Sequence, residues 1–170
     1  MDNNNYKLLV VSDSHGDNSG IREAIKRELP FDVLVHCGDI EGSVSRMVDP
    51  DATFEIRAVR GNCDFSGALP NEDNFKVGFC NIFVTHGDDY NVKYDMDLIQ
   101  LKKAAKKRMA DVVLFGHSHH AEIVRDNENG LTLINPGSIG NQRTSSQECT
   151  YATLVITEDY EIIPEIKVLE

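Results

Sequence analysis

The four cysteines, Cys37, Cys63, Cys80 and Cys149, contain no CxxC pair and no dense spacing. That excludes a disulfide framework and a cysteine-clustered structural zinc site as organising features, and it fits reduced thiols in a cytoplasm. No apolar run approaches the roughly 18 residues that span a bilayer, and residues 1–7 lack an apolar leader core, so neither a membrane partner nor export is expected. Positive charge is also scarce: 17 Lys and Arg face 28 Asp and Glu, a formal net charge of -11, which argues against nucleic acid as a partner. Internal repeats, low-complexity tracts and Pro/Gly/Ser-rich linkers are missing as well, which leaves apolar periodicity to define the elements.

What is present is a chain of 170 residues with 41% hydrophobic content, enough for one well-buried core and short for two. A single domain over 1–170 is expected. Residues 7–12, 32–36, 54–59, 81–85 and 112–115 are short apolar, β-branched-rich runs that read as buried strands. Ile21, Ala24, Ile25 and Leu29 recur at helical spacing, with Asn18 or Ser19 as cap and Pro30 as stop. Leu98, Leu101, Ala105 and Met109 predict a second helix, with Asp97 and Gln100 spaced as a capping box. Residues 121–125, 131–135, 151–156 and 161–168 read as further strands, turned at Asn129-Gly130 and Glu158-Asp159. So many strands exceed one comfortable sheet, and an α/β domain of two face-to-face sheets with helices outside follows.

The five buried runs end in Asp13-Ser14-His15, Gly38-Asp39, Gly61-Asn62, His86-Gly87 and Gly116-His117-Ser118-His119. Sites in α/β sheets lie beyond the carboxyl ends of strands, so these ends are expected to converge. Imidazole mixed with carboxylate and amide oxygen suits Mn²⁺, Fe²⁺ or Zn²⁺. Two ions need about seven ligands with one carboxylate shared, and Asp13, His15, Asp39, Asn62, His86, His117 and His119 are seven. Taken singly, Asp-x-His, Gly-Asp, Gly-Asn and His86 are commoner as ordinary loop chemistry, while Gly-His-Ser-His, with two histidines at i and i+2 after an apolar run, is a stronger signal; five such fragments, each after a strand, are not ordinary.

In this order, DSH, GD, GNCD, THGD and GHSH resemble the calcineurin-like metallophosphoesterase superfamily, and Asn135-Pro136-Gly137-Ser138 is similar to the NPGS segment of its small bacterial phosphodiesterase branch. The resemblance implies a four-layer α/β/β/α sandwich of two mainly mixed sheets flanked by helices. It implies one ion held by Asp13, His15, Asp39 and His119, and a second by Asp39, Asn62, His86 and His117, with Asp39 bridging. The activity implied is phosphoester hydrolysis, a small phosphodiester being favoured over a monoester or a nuclease substrate. Metal-bound hydroxide would attack phosphorus in line, with Asp39, Asn62 and His86 as the catalytic residues. Two divalent transition-metal ions are the expected cofactors, Mn²⁺ first, then Fe²⁺ or Zn²⁺. A homo-oligomer is compatible with this reading.

Cys63 departs from the wider pattern, where phosphoprotein phosphatases and many relatives place a histidine able to protonate the leaving group. A non-catalytic scaffold of the same fold, like the retromer subunit, is the rival class; there several ligand positions are altered, whereas here all seven match. Arg143 is a candidate phosphate contact or an ordinary surface arginine. Asp17 and Asp64 are candidates to orient ligand histidines, or else loop caps. His36, inside a strand, reads as structural. The lysine run 102–108 reads as a solvated helix face.

Overall fold

The structure, a computed structural model, describes residues 5–140 and 148–170. Arg143 therefore lies outside the described residues.

Five strands build the first sheet. β1 (Tyr6–Val11), β2 (Val33–His36) and β3 (Glu55–Ala58) run parallel, while β9 (Thr150–Ile156) joins β1 antiparallel and β10 (Ile162–Val168) closes the edge, in the order β10-β9-β1-β2-β3. In the second sheet β5 (Cys80–Thr85), β6 (Val112–Leu114) and β8 (Leu131–Asn135) are parallel. They are flanked by antiparallel β4 (Glu72–Val77) and β7 (Glu122–Asp126), in the order β4-β5-β6-β8-β7.

The period-two alternation of strands sets the layers. Leu8 and Val10 of β1 face inward with Val33 and Val35, and meet Ile82, Val84, Val112 and Leu114 of the other sheet. Their neighbours Leu9 and Val11 face outward, onto Ile21 and Ala24 of α1 (Ser19–Glu28). On the far side, Phe83, Val113 and Leu133 receive Leu101, Ala104 and Ala105 of α2 (Ile99–Lys107). Helix, sheet, sheet and helix are the four layers expected. One ion network ties α1 to its sheet: buried Glu28 takes Lys7 at 2.9 Å, Lys167 at 2.9 Å and the Tyr151 hydroxyl at 2.9 Å.

Several local expectations are corrected. β4 was not expected: its sequence EDNFKV is polar and half-exposed, and it is held as an edge by the hairpin to β5. The Asp97–Gln100 capping box does not form. The helix opens at Leu98 in a left-handed conformation, and Asp95 Oδ2 accepts the Gln100 N–H at 3.2 Å. Asn18 is the N-cap of α1, but its side chain makes no capping bond, and Asp17 Oδ1 instead accepts the Ser19 N–H at 3.0 Å and its hydroxyl at 2.6 Å. Met109 lies beyond α2 and is exposed, because the helix stops at Lys107.

Candidate metal centre

Since β1, β2 and β3 are parallel, as are β5 and β6, the five motif loops leave the same edge of the sandwich. Backbone bonds lock them together: Asp13 N–H donates to Gly38 O at 3.0 Å, His15 N–H to Asp39 O at 3.0 Å and Gly116 N–H to His86 O at 2.9 Å. The Asn135-Pro136-Gly137-Ser138 turn buttresses two of these loops. The Asn135 amide donates to Gly116 O at 3.1 Å and to Ser118 Oγ at 2.9 Å, and the Ser138 hydroxyl donates to Asp13 O at 2.8 Å.

Asp13 is fully buried. Its Oδ2 accepts the Ser12 hydroxyl at 2.5 Å and the His117 N–H at 3.2 Å. Its Oδ1 is buried without a hydrogen bond, 3.0 Å from His119 Nε2 and 3.8 Å from His15 Nε2. Burial works against the Asp13 charge, but contact with His119 and the charge of His86 outweigh it and hold the carboxyl below its ordinary range. Asp39 is held low in the same way, burial being outweighed by the hydrogen bond and charge of His86. Its Oδ1 accepts the Cys63 N–H at 2.8 Å, and its Oδ2 lies 3.4 Å from His86 Nε2 and 3.9 Å from His15 Nε2.

Ring tautomers follow from these contacts. His86 Nδ1 lies 2.8 Å from Cys37 O, an acceptor only, so Nδ1 carries the proton and Nε2 presents a lone pair. That lone pair points at two more acceptors, Asn62 Oδ1 at 3.1 Å and Asp39 Oδ2. Burial lowers the His86 pKa, but contact with Asp39 outweighs it and the net shift is upward. His15 repeats the arrangement: Nδ1 sits 2.5 Å from Glu41 Oε1, while Nε2 faces His119 Nε2 at 3.4 Å. The His117 ring stands edge-on to His86 with centroids 5.0 Å apart, and burial followed by the His86 charge lowers its pKa.

All seven candidate residues thus converge. Among the described residues, Asp13–His15–His119 and Asp13–Asp39–His86 each bring three potential ligand atoms within 4.8 Å of one another, and His15–Glu41–Cys63 does the same at the rim. Lone pairs facing lone pairs around Asp39 Oδ2, beside an orphaned Asp13 oxygen, form a donor set that fits divalent cations. Cavity size is no guide here: a concavity of about 800 Å³ lies between α1 and residues 47–54, away from every one of the seven.

Sequence reasoning missed Glu41 and the Cys37 carbonyl, the groups that orient His15 and His86. Asp64 does not take that role: its carboxylate accepts the backbone N–H groups of Ile40, Glu41 and Gly61. His36 is structural as expected, buried between the Ser14 hydroxyl at 3.0 Å and the Gly38 N–H at 3.2 Å, and burial depresses its pKa to about 4.

Fold and donor set together define a metal-dependent phosphoesterase. Residues 6–159 match the calcineurin-like phosphoesterase superfamily domain, and the chain belongs to that family. It is 37% identical over 155 residues to a probable metallophosphoesterase of Bacillus subtilis, YsnB, covering 89% of this chain and 85% of that protein. It is 29% identical to a phosphodiesterase of Methanocaldococcus jannaschii, covering 77% and 82%. Among solved structures, a predicted phosphoesterase of Streptococcus pneumoniae superposes with a TM-score of 0.71 at 27% identity, covering 97% and 98% of the two chains. Vacuolar protein sorting 29 of Cryptosporidium parvum shares the fold, with a TM-score of 0.75 at 15% identity over 98% of each chain.

Proposed function

We propose that this chain hydrolyses small phosphodiesters with two divalent cations, Mn²⁺ first among them, acting as one domain in the cytoplasm. The convergence of His86 Nε2 and His15 Nε2 on the one Asp39 Oδ2 carries the reading, because a shared carboxylate between two imidazole lone pairs is what a dinuclear site requires. Asp13, His15, Asp39 and His119 would hold one ion, and Asp39, Asn62, His86 and His117 the other. When bound, such a pair would acidify a water to serve as nucleophile and would offset charge building on the phosphoryl oxygens.

The rest falls to the chain. Hydrogen bonds from Cys63 N–H to Asp39 and between His86 and Cys37 O keep the shared carboxylate and its imidazole neighbour in place, so little reorganisation accompanies the reaction. Cys63 stands where relatives place a histidine able to protonate the leaving group, and in the metal-free chain burial, and next the charge of Asp39, push its thiol up to about 11. Leaving groups of low pKa are therefore favoured, and aryl esters should turn over faster than alkyl ones. A net charge of -11 repels polyanions and leaves small esters as the fitting substrates.

The test compares wild type with Asp39→Asn on bis-p-nitrophenyl phosphate and p-nitrophenyl phosphate, with and without Mn²⁺, alongside metal content. Metal-dependent diester cleavage that is lost in the variant supports the proposal. A protein that holds no metal and cleaves neither ester would instead be a scaffold, the role its fold also permits.

A further inference from the structure

We propose that His15, Glu41 and Cys63 form a third cation site at the rim, selective for thiophilic divalent ions, whose occupation takes His15 from the catalytic pair and inhibits the enzyme. The proposal rests on the reading of His15 as a catalytic ligand. Its three donor atoms lie within 4.8 Å of one another. Histidine, carboxylate and cysteine with one open position form a donor set that suits Zn²⁺, Cd²⁺ or Co²⁺, whereas Mn²⁺ prefers the all-nitrogen-and-oxygen set beside it.

The donors are preorganised by one buried side chain. Asp64 accepts the Glu41 N–H at 2.7 Å, the Ile40 N–H at 3.2 Å and the Gly61 N–H at 2.9 Å, binding the loop that carries Glu41 to the loop that carries Cys63. Cys63 is held a second time by its N–H bond to Asp39. Glu41 already meets His15 Nδ1 at 2.5 Å, so a cation replaces a proton between these two groups.

Competition follows from the tautomers. A neutral imidazole has one lone pair, and in the resting arrangement it lies on Nε2, towards Asp13, Asp39 and His119. Binding a rim cation through Nδ1 moves the ring proton to Nε2, where His15 can no longer serve the catalytic ion. The Cys63 thiol gives its proton to solvent as the sulfur–metal bond forms, and no electrons are transferred. Soft cations thereby switch the enzyme off while Mn²⁺ supports it.

The experiment titrates Co²⁺ into the full chain and follows the near-ultraviolet thiolate-to-cobalt charge-transfer band. Wild type should develop the band, Cys63→Ser should lack it, and Glu41→Gln should weaken it. In parallel, Cd²⁺ is added to Mn²⁺-loaded enzyme hydrolysing bis-p-nitrophenyl phosphate. With each protein scaled to its own Mn²⁺-supported rate before Cd²⁺ is added, Cys63→Ser should tolerate at least about tenfold more Cd²⁺ than wild type. An equal band in wild type and Cys63→Ser, or no band in either, overturns the site. The same Cd²⁺ sensitivity in both proteins overturns the inhibition. Absorption needs no turnover, so a failure of the proposed hydrolytic activity is told apart from a failure of the rim site.

Discussion

Gly61→Ala tests whether the backbone at the end of β3 is part of the metal centre. A Cβ built there would lie 2.2 Å from Asp39 Oδ1, 2.4 Å from Asp39 N and 2.8 Å from Asp39 Cγ, against the 3.4 Å at which ordinary contact begins. Two of those atoms belong to the carboxyl proposed to bridge the ions, and the third is backbone, so no rotamer change relieves the clash. The two loops must part, moving the Asp39 carboxyl by about 1 Å, a misplacement that costs on the order of 10²-fold in rate. Metal affinity should fall about 10- to 100-fold, as when groups supporting a ligand are lost. Overpacking costs about 1–3 kcal/mol, which a protein of ordinary stability survives. The assay is a Mn²⁺ titration of diester hydrolysis, with metal content at each point and urea unfolding of the metal-free protein. A folded Gly61→Ala protein that binds Mn²⁺ and turns over within threefold of wild type would refute the placement of Asp39 at the centre.

Glu28→Gln should destabilise the metal-free protein at pH 7 by about 2 kcal/mol, after discounting for the partly exposed Lys7 and Lys167. Burial opposes the Glu28 charge, but Lys167 and then Lys7 depress its pKa from 4.5 to about 2. The stabilisation is therefore complete above pH 4.5 and lost as pH falls towards 2, so urea curves of the two proteins should converge across that window; a pH-independent gap would disprove the electrostatic origin. Glu41→Ala should weaken binding of the His15-held ion by about 10- to 100-fold, while metal-free stability stays within about 0.5 kcal/mol because Glu41 is exposed; calorimetric metal titration and urea unfolding check both parts. His119 adopts φ +58, so metal-free His119→Gly should be more stable than His119→Ala by about 0.5–1 kcal/mol, glycine's greater unfolded-state entropy taking back part of the left-handed penalty. Alanine being the more stable would show that no strain resides there.

The parts of the fold that could be read from the sequence are those where one residue pattern has one structural solution. β1, β2, β5 and β6 are apolar on both faces because both faces are covered, and such runs announce themselves. β4 could not be read: Asn74 and Lys76 look outward from an edge, and what makes 72–77 a strand is the register Glu72↔Thr85 to Val77↔Cys80, a property of its partner. Sheet order was equally hidden, since nothing local tells β8 to lie between β6 and β7. At the site, the seven candidate donors could be picked out from residue type and position after strands. Their orienting groups could not, because the Cys37 carbonyl belongs to backbone that any residue could supply, and Glu41 reaches His15 across 26 positions only once β1 and β2 are paired.

Backbone conformation gives a reason to place function at this edge that is independent of donor chemistry. Asp13, His15, Asp39, His117 and His119 all adopt φ between +46 and +67, as does Glu41 at +50. For residues with a side chain that region costs on the order of 1 kcal/mol each, and it persists only where surrounding structure dictates it. Here the dictating contacts are the bonds from Asp13 N–H to Gly38 O, from His15 N–H to Asp39 O and from His117 N–H to Asp13 Oδ2. Glycine would adopt every one of these conformations freely, and it does so nearby at Gly16, Gly38 and Gly87. At the donor positions the chain carries carboxylate or imidazole instead, against the backbone's own preference. Local propensity yields only where something else compensates, and among the described residues six of the ten non-glycine positions with positive φ lie at this one edge, so the strain is concentrated where the motif loops meet.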